Sequence, residues 1–151
     1  MIYLHYQQKI PLTLEHTWDF FSNPNNLKIL TPEKLQFTCT NAPEKMYPGQ
    51  IITYTIRPFF NIPINWVTEI THMEYQKYFI DEQRFGPYKF WHHEHRFASI
   101  ENGVLMTDAI YYKLPFGILG NALNAVKVQD DVTAIFAYRK AKMEELFGVY
   151  K

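Results

Sequence analysis

The chain has 151 residues, and its 15 Lys and Arg equal its 15 Asp and Glu, so the formal net charge is zero. Without a net positive charge or a basic cluster it has no field to attract phosphate backbones, which argues against nucleic acid as a partner. A chain of this length usually forms one domain with a sizeable core. We therefore expect a single domain over residues 1–151.

Cysteine content and hydropathy exclude further classes. Cys39 is the only cysteine, which excludes an intrachain disulfide and argues against a thiolate metal site. The sequence shows no basic-then-apolar leader and no apolar run of about 20 residues, so we expect no transmembrane segment and a cytoplasmic location. It contains no nucleophile elbow, phosphate loop or dinucleotide fingerprint, so we expect no cofactor.

The aromatic content is the unusual feature of the composition. The chain holds 3 Trp, 11 Tyr and 12 Phe, which together make 17% of its residues. Such a load in a small neutral domain predicts either an aromatic core or a pocket lined with rings.

The first elements in chain order are a strand and short helices. Residues 2–10 read as a strand, and Thr13 is a suitable N-cap for a helix that ends at Asn23-Pro24. Further helical turns are expected at 25–30. Residues 36–114 then alternate with period two, broken by Pro and Gly, which predicts an antiparallel meander.

A long helix is expected to follow the meander. Asn121 can cap a helix that runs to Phe147, with Gly148 as its C-terminal stop. At about 1.5 Å per residue it spans about 40 Å, comparable with strands of about ten residues. The seven apolar residues at helical spacing predict the face that packs on the sheet. They are Val128, Val132, Ile135, Phe136, Met143, Leu146 and Phe147.

The alternation assigns an inward face to each strand of the meander. The outward sets carry most of the charged pairs, yet the inward sets still include acids, an amide and two histidines where a core would place Leu or Val. The inward residues are expected to be Ile52, Tyr54, Ile56, Ile64, Trp66, Thr68, Ile70, Phe79, Asp81, Gln83, Phe85, Trp91, His93, His95, Phe97, Met106, Asp108, Ile110, Tyr112 and Leu114.

Turn chemistry predicts which inward residues face each other. A two-residue type I′ turn at Asn102-Gly103 pairs the flanking strands so that His93 lies opposite Tyr112, His95 opposite Ile110 and Phe97 opposite Asp108. A three-residue loop at 86–88 pairs Asp81 with His93, Gln83 with Trp91 and Phe85 with Lys89. We expect one polar cluster on an aromatic wall, with Asp81, His93 and Tyr112 in one row and His95 and Asp108 beside it.

Arg139 falls on the apolar stripe of the long helix. An unpaired buried guanidinium is costly, so the stripe predicts a partner carboxylate from Asp108, Asp81 or a ligand.

The sequence resembles a bacterial, polyketide cyclase/dehydrase-like branch of the helix-grip superfamily, also called START or Bet v 1-like (SRPBCC). The motifs that carry the resemblance are Phe79-x-Asp81-x-Gln83-x-x-Gly86-Pro87, Trp91-His92-His93-x-His95-x-Phe97, Met106-x-Asp108, Leu114-Pro115-Phe116-Gly117 and Phe136-x-Tyr138-Arg139. The resemblance covers nearly the whole chain. It implies an α+β fold: a seven-stranded antiparallel sheet around a long C-terminal helix, two short helices after the first strand, and an internal cavity for apolar small molecules. Members include carriers and aromatase/cyclases, so the fold alone does not set the activity.

The two inward histidines admit three interpretations. His93 and His95 with Asp81 or Asp108 form a possible two-histidine, one-carboxylate metal set, but hydrogen bonds to the carboxylates are the simpler expectation, so we expect no metal. A general acid/base role for His93, His95 or Asp108 is the second, with Tyr112 polarising a carbonyl. The third is that they orient a ligand's polar end.

The leading functional hypothesis is a soluble binding protein for a small, mostly apolar ligand of the lipid, polyketide or aromatic type. The alternatives are a cofactor-independent cyclase/dehydratase with a cavity histidine as general base, and an interaction domain with a closed interior. The oligomeric state is left open. The residues expected to contact the ligand are Tyr54, Trp66, Thr68, Phe79, Asp81, Gln83, Trp91, His93, His95, Asp108, Tyr112 and Arg139.

Overall fold

A computed structural model describes residues 1–41, 45–57, 62–115 and 122–151 of the chain. Seven strands form one antiparallel sheet in the order β1-β7-β6-β5-β4-β3-β2. The predicted α+β architecture, a meander covered by a C-terminal helix, is confirmed. The elements are β1 (Ile2–Ile10), α1 (Leu14–Phe21), two 3-10 helices (Pro24–Lys28 and Glu33–Leu35), β2 (Thr38–Cys39), β3 (Ile51–Ile56), β4 (Ile64–Glu74), β5 (Tyr78–Phe85), β6 (Phe90–Ile100), β7 (Gly103–Lys113) and α2 (Ala122–Phe147).

The helix after β1 begins where the capping signal predicts. The Thr13 hydroxyl accepts a hydrogen bond from the His16 backbone N–H at 3.2 Å, which satisfies one of the free donors of the first turn. Trp18, on the inner side of α1, packs edge-on against Phe79 and Phe97 of the sheet. These rings close one end of the core under the sheet.

Phe85 points to solvent, so its predicted inward position is wrong. The β4–β5 ladder pairs Thr68 with Gln83 but Val67 with Phe85, so Arg84 is an extra residue in β5. Such a bulge reverses the facing of the residues beyond it. Phe85 therefore shares the outer face with Val67 and is 64% exposed.

The β6–β7 hairpin differs from the predicted register by two residues. Ile100 pairs with Gly103, so the loop residues are Glu101 and Asn102, with φ of 59° at Asn102. As a result His95 lies opposite Asp108, His93 opposite Ile110, Trp91 opposite Tyr112 and Phe97 opposite Met106. A two-residue shift keeps every side chain on its predicted face, so the cluster survives although Tyr112 leaves its row.

Gly103 is used for a close approach between strands instead of for the turn. A Cβ at this position would collide with the backbone carbonyl oxygen of Ile10 at the end of β1. Gly103→Ala is therefore expected to lower the free energy of unfolding by about 1–3 kcal/mol, since the β1 and β7 backbones must move apart. Chemical denaturation measures this, with Ser99→Ala, at an exposed position near the end of β6, as control. Equal effects of the two substitutions would contradict the account.

The long helix α2 packs on β1 at one side of the sheet. Phe136 stacks on Tyr6 with ring centroids 4.4 Å apart, and Gln8 Nε2 donates to the Lys140 carbonyl oxygen at 3.1 Å. Gly148, with φ of 90°, ends the helix as predicted. The predicted cap at Asn121 and motif residues 116–117 lie outside the described residues.

The apolar stripe of α2 faces inward except at Leu146 in its last turn. Val132, Phe136 and Met143 are buried as predicted, whereas Leu146 is 44% exposed. Phe147 takes the inward direction there and packs edge-on against Phe20. Among the described residues, no helix is both long and apolar enough to cross a bilayer.

Candidate functional site

A pocket of about 690 Å³ lies between α2, the inner face of β3–β6 and the short helices. Its lining is mostly apolar, and nine of the twelve residues expected to contact a ligand contribute to it. These nine are Tyr54, Trp66, Thr68, Phe79, Asp81, Trp91, His93, His95 and Arg139.

The other three predicted contact residues are not part of this lining. Gln83 instead holds the β5–β6 connection, because its side chain donates to the Tyr88 carbonyl oxygen at 2.6 Å and accepts from the Tyr88 N–H at 3.2 Å. Asp108 lines a smaller pocket of about 190 Å³ beside α2. Tyr112 is fully buried in the core.

The pocket wall consists of interlocked aromatic rings. Tyr54 stacks on Trp66 at 5.6 Å between ring centroids, and Trp66 meets Trp91 edge-on at the same distance. Tyr88 fills the corner, with its ring centroid 4.8 Å from that of Trp91 and 5.4 Å from that of Trp66. The aromatic load of the sequence is therefore divided between this wall and the core around Trp18.

Two histidines and two aspartates form a closed square on the inner face; we call these four residues the His–Asp square. His93 Nε2 lies 2.8 Å from Asp108 Oδ1, and His95 Nε2 lies 2.8 Å from Asp81 Oδ2. The remaining ring nitrogens also face carboxylates, His95 Nδ1 at 3.0 Å from Asp108 and His93 Nδ1 at 3.5 Å from Asp81. The imidazole centroids are 3.7 Å apart.

Strand pairing alone positions the His–Asp square. His93 and His95 are two residues apart on β6, so both point inward. Asp81 lies opposite His93 on β5, and Asp108 lies opposite His95 on β7. Each 2.8 Å contact joins a histidine to the acid opposite the other histidine. Since each acid also faces its own opposite histidine, at 3.0 or 3.5 Å, it bridges both rings.

Burial and charge together set the pKa values, and so the protonation states, of the four residues in the His–Asp square. Burial, reinforced by the positive charge of His95, lowers the pKa of His93 below its ordinary value of 6.5. Burial acts the same way on His95, but its contacts with Asp108 and Asp81 outweigh it and raise the pKa of His95. Burial would raise the pKa of Asp81 and Asp108, yet the imidazoles lower both. Near neutral pH the square therefore holds two carboxylates, a cationic His95 and a neutral His93.

The free energy of unfolding is expected to peak near pH 6.5 because the two histidines act in opposite directions. Above 6.5, folded His95 keeps a proton that the unfolded chain has lost, so stability falls as pH rises through its raised pKa. Below 6.5, the unfolded chain binds a proton that folded His93 refuses, so stability also falls on acidification. Denaturant unfolding between about pH 5 and about pH 9 measures the profile.

A matched pair of variants separates this effect from general titration. His95→Gln should remove the decline on the alkaline side, whereas His16→Gln, at an exposed position on α1, should leave the profile unchanged. A wild-type stability that stays constant above pH 6.5 would contradict the proton assignment.

Asp81, His93 and His95 could also hold a metal ion. Their ligand atoms all lie within 4.8 Å of one another, and a two-histidine, one-carboxylate set suits a divalent transition metal. The ring nitrogens, however, already face carboxylates at hydrogen-bonding or ion-pair distance. We therefore expect a chelator to leave the thermal unfolding temperature unchanged; stoichiometric metal in the purified protein, with a lower unfolding temperature after its removal, would overturn this expectation.

Arg139 is not paired with either acid of the square, although the sequence predicted Asp108 or Asp81 as its possible partner. Both acids are engaged by the histidines, and within the described part of the chain no carboxylate lies within 4.0 Å of the guanidinium. Its central carbon lies 5.0 Å from the Phe136 ring centroid, and its buried Nε has no hydrogen-bond partner. Of the predicted partners, only a ligand is left.

Sequence reasoning missed several lining residues. Tyr88 lies in a loop where strand alternation gives no facing, and its Gly86-Pro87 neighbours were the only signal. Leu30 and Phe37 come from the segment that carries the 3-10 helices and line the far side of the pocket. Their periodicity is too short to assign a face.

Comparisons with known proteins identify the fold. No family model matches the sequence, and none of the curated proteins compared does either. Protein Ms6760 from Mycobacterium smegmatis is similar in structure, with 17% identity, a TM-score of 0.70 and coverage of 95% of this chain and 89% of that chain. Protein CV1439 from Chromobacterium violaceum has 11% identity, a TM-score of 0.73 and 98% coverage of both chains.

A third similar structure is that of a Bet v 1-like protein. This protein, Ara h 8.0201, matches with 10% identity, a TM-score of 0.62 and coverage of 95% of this chain and 98% of that chain. At these identities the likeness concerns the fold. The chain therefore has a helix-grip, Bet v 1-like fold, as the resemblance of its sequence predicted.

Proposed function

We propose that the chain binds one small, mostly apolar ligand in the pocket between α2 and the sheet. The observation that carries the proposal is the pocket volume of about 690 Å³, which falls within the range of roughly 300–1,000 Å³ typical of small-molecule sites. A closed interaction domain, the third hypothesis from the sequence, would instead need a filled interior. The volume therefore favours a ligand site.

The lining supports a ligand that is apolar along most of its length and polar at one end. Trp66, Trp91 and Tyr88 offer flat apolar surface, which favours a ligand of the lipid, polyketide or aromatic type. Polar groups converge at one part of the lining, which Asp81, His93, His95 and Arg139 share. Residues 1–151 would act as one ligand-binding domain. The cytoplasmic location expected from the sequence stays a prediction.

Native mass spectrometry after mild purification tests this function. We expect a fraction of the protein to carry one added small-molecule mass, which organic denaturation releases. Purely ligand-free protein that also fails to bind a panel of apolar compounds would contradict the proposal.

A second candidate function is a cofactor-independent cyclase or dehydratase. The geometry that favours it is the position of His93 in the pocket lining, 2.8 Å from Asp108, where burial lowers its pKa and favours the neutral imidazole that can act as a base. In the tautomer whose Nε2–H donates to Asp108, the nitrogen that would accept a substrate proton is Nδ1, which faces Asp81 at 3.5 Å. Once a substrate is in hand, His93→Ala and His95→Ala variants that keep turnover and lose only affinity would remove this candidate.

A further inference from the structure

The cation of Arg139 has no counter-ion in the part of the chain that the structure describes. The two acids predicted to pair with it, Asp81 and Asp108, instead each contact two imidazole nitrogens within 3.5 Å. The Arg139 charge acts on Asp81 only at longer range, where it adds to the larger effect of the two histidines in lowering the pKa of the Asp81 carboxyl. A guanidinium beside an apolar pocket is costly without a paired anion.

Three buried nitrogens of the pocket lining lack a hydrogen-bond partner among the described residues: Arg139 Nε, Trp66 Nε1 and His95 Nδ1. His95 Nδ1 still faces the Asp108 carboxylate at 3.0 Å, whereas the other two nitrogens have no acceptor in the described part of the chain. Arg139 Nε and Trp66 Nε1 are both obligatory N–H donors without acceptor capacity. Because buried polar groups are normally hydrogen-bonded, we expect a bound molecule to supply acceptor atoms to these two donors.

The charge decides which kind of acceptor fits. A ketone or ether oxygen would satisfy a donor but leave the Arg139 charge uncompensated. A carboxylate supplies charge and acceptors together, and its planar oxygens match the guanidinium fork. The Phe136 ring, 5.0 Å from the guanidinium carbon, limits where that fork can turn.

We infer that the ligand of the pocket is an apolar acid whose carboxylate pairs with Arg139, an inference that rests on the ligand-binding function proposed above. The apolar part lies along the aromatic wall of Trp66, Trp91 and Tyr88. The acid group lies at α2, next to the His–Asp square.

Two fluorescent probes that differ only at one end test the inference. 4-(1-Pyrenyl)butanoate and 4-(1-pyrenyl)butanol share ring and chain, and quenching of the pocket tryptophans Trp66 and Trp91 reports binding of either. We expect wild-type protein to bind the acid about tenfold or more tightly than the alcohol. Arg139→Gln should remove that preference by weakening binding of the acid about tenfold or more.

Two further variants serve as controls. Arg139→Lys keeps the charge and should retain part of the preference for the acid, which separates charge pairing from loss of packing on Phe136. Lys140→Gln removes the neighbouring cation, which does not line the main pocket, and should leave the preference intact.

The outcomes separate this inference from the function beneath it. Tight alcohol binding without preference for the acid overturns the carboxylate assignment and leaves the binding function standing. A preference that persists in Arg139→Gln overturns the role of Arg139. If neither probe binds to wild-type protein, the binding function fails, and the inference fails with it.

Discussion

Asp108→Asn is expected to lower the free energy of unfolding by about 3–5 kcal/mol at pH 7, the usual cost of removing one partner from a buried charge pair. Asp108 is only 9% exposed, and its carboxylate lies within 3.0 Å of both His93 and His95. The asparagine would leave the cationic His95 with one carboxylate instead of two. Urea denaturation of wild-type and variant protein measures the difference.

The pH dependence of this loss follows from the lowered pKa of Asp108. An acid whose folded pKa is depressed stabilises the fold fully above its unfolded value, here 3.8, and that contribution is lost as pH falls through the folded pKa. On acidification the difference in the free energy of unfolding between wild type and Asp108→Asn should therefore narrow only below pH 3.8. On the alkaline side it should narrow as His95, whose pKa Asp108 helps to raise, loses its proton. Asp130→Asn, at an exposed position on α2, is the control. A loss for Asp108→Asn as small as for this control would contradict the His–Asp square.

Ile135→Trp is expected to weaken binding of the neutral probe pyrenylbutanol by on the order of tenfold or more. Ile135 lines the pocket from α2 and belongs to neither of the packed apolar clusters among the described residues. An indole there would occupy the space of the ligand without displacing core side chains. Fluorescence titration measures the affinity.

A substitution elsewhere on the same helix separates occlusion from general damage. Val126→Trp introduces the same side chain at a position that is 58% exposed and does not line the pocket. It should leave the probe affinity within about twofold of wild type. Unchanged binding to Ile135→Trp would show that the probe occupies some other surface.

The grouping of the site residues was predictable because strand alternation is robust. Residues two apart on a strand share a face, so His93 with His95 followed from spacing alone. The hairpin turn was misplaced by two residues, yet a shift by an even number preserves facing, and Asp108 still met the histidines. The antiparallel meander and its covering helix followed from the same periodicities, whereas the count of seven strands was implied by the resemblance to the helix-grip superfamily.

Other features depend on interactions that no local pattern contains. The outward turn of Phe85 comes from the bulge at Arg84, which reflects pairing with β4. The place of Gly103 reflects the approach of β1, which is about 90 residues away in sequence. The position of Arg139 on the apolar stripe could be predicted from the sequence. Its lack of a carboxylate partner among the described residues could not, because it arises from the contacts of both Asp81 and Asp108 with the two histidines.

The most direct test of the central claim, that the pocket is a ligand site, is a crystal structure of the protein with pyrenylbutanol bound. The account predicts one probe molecule between α2 and the sheet, with its rings against Trp66 and Trp91. A pocket filled by rearranged side chains, with the probe absent from it or attached only to the outer surface, would contradict the account.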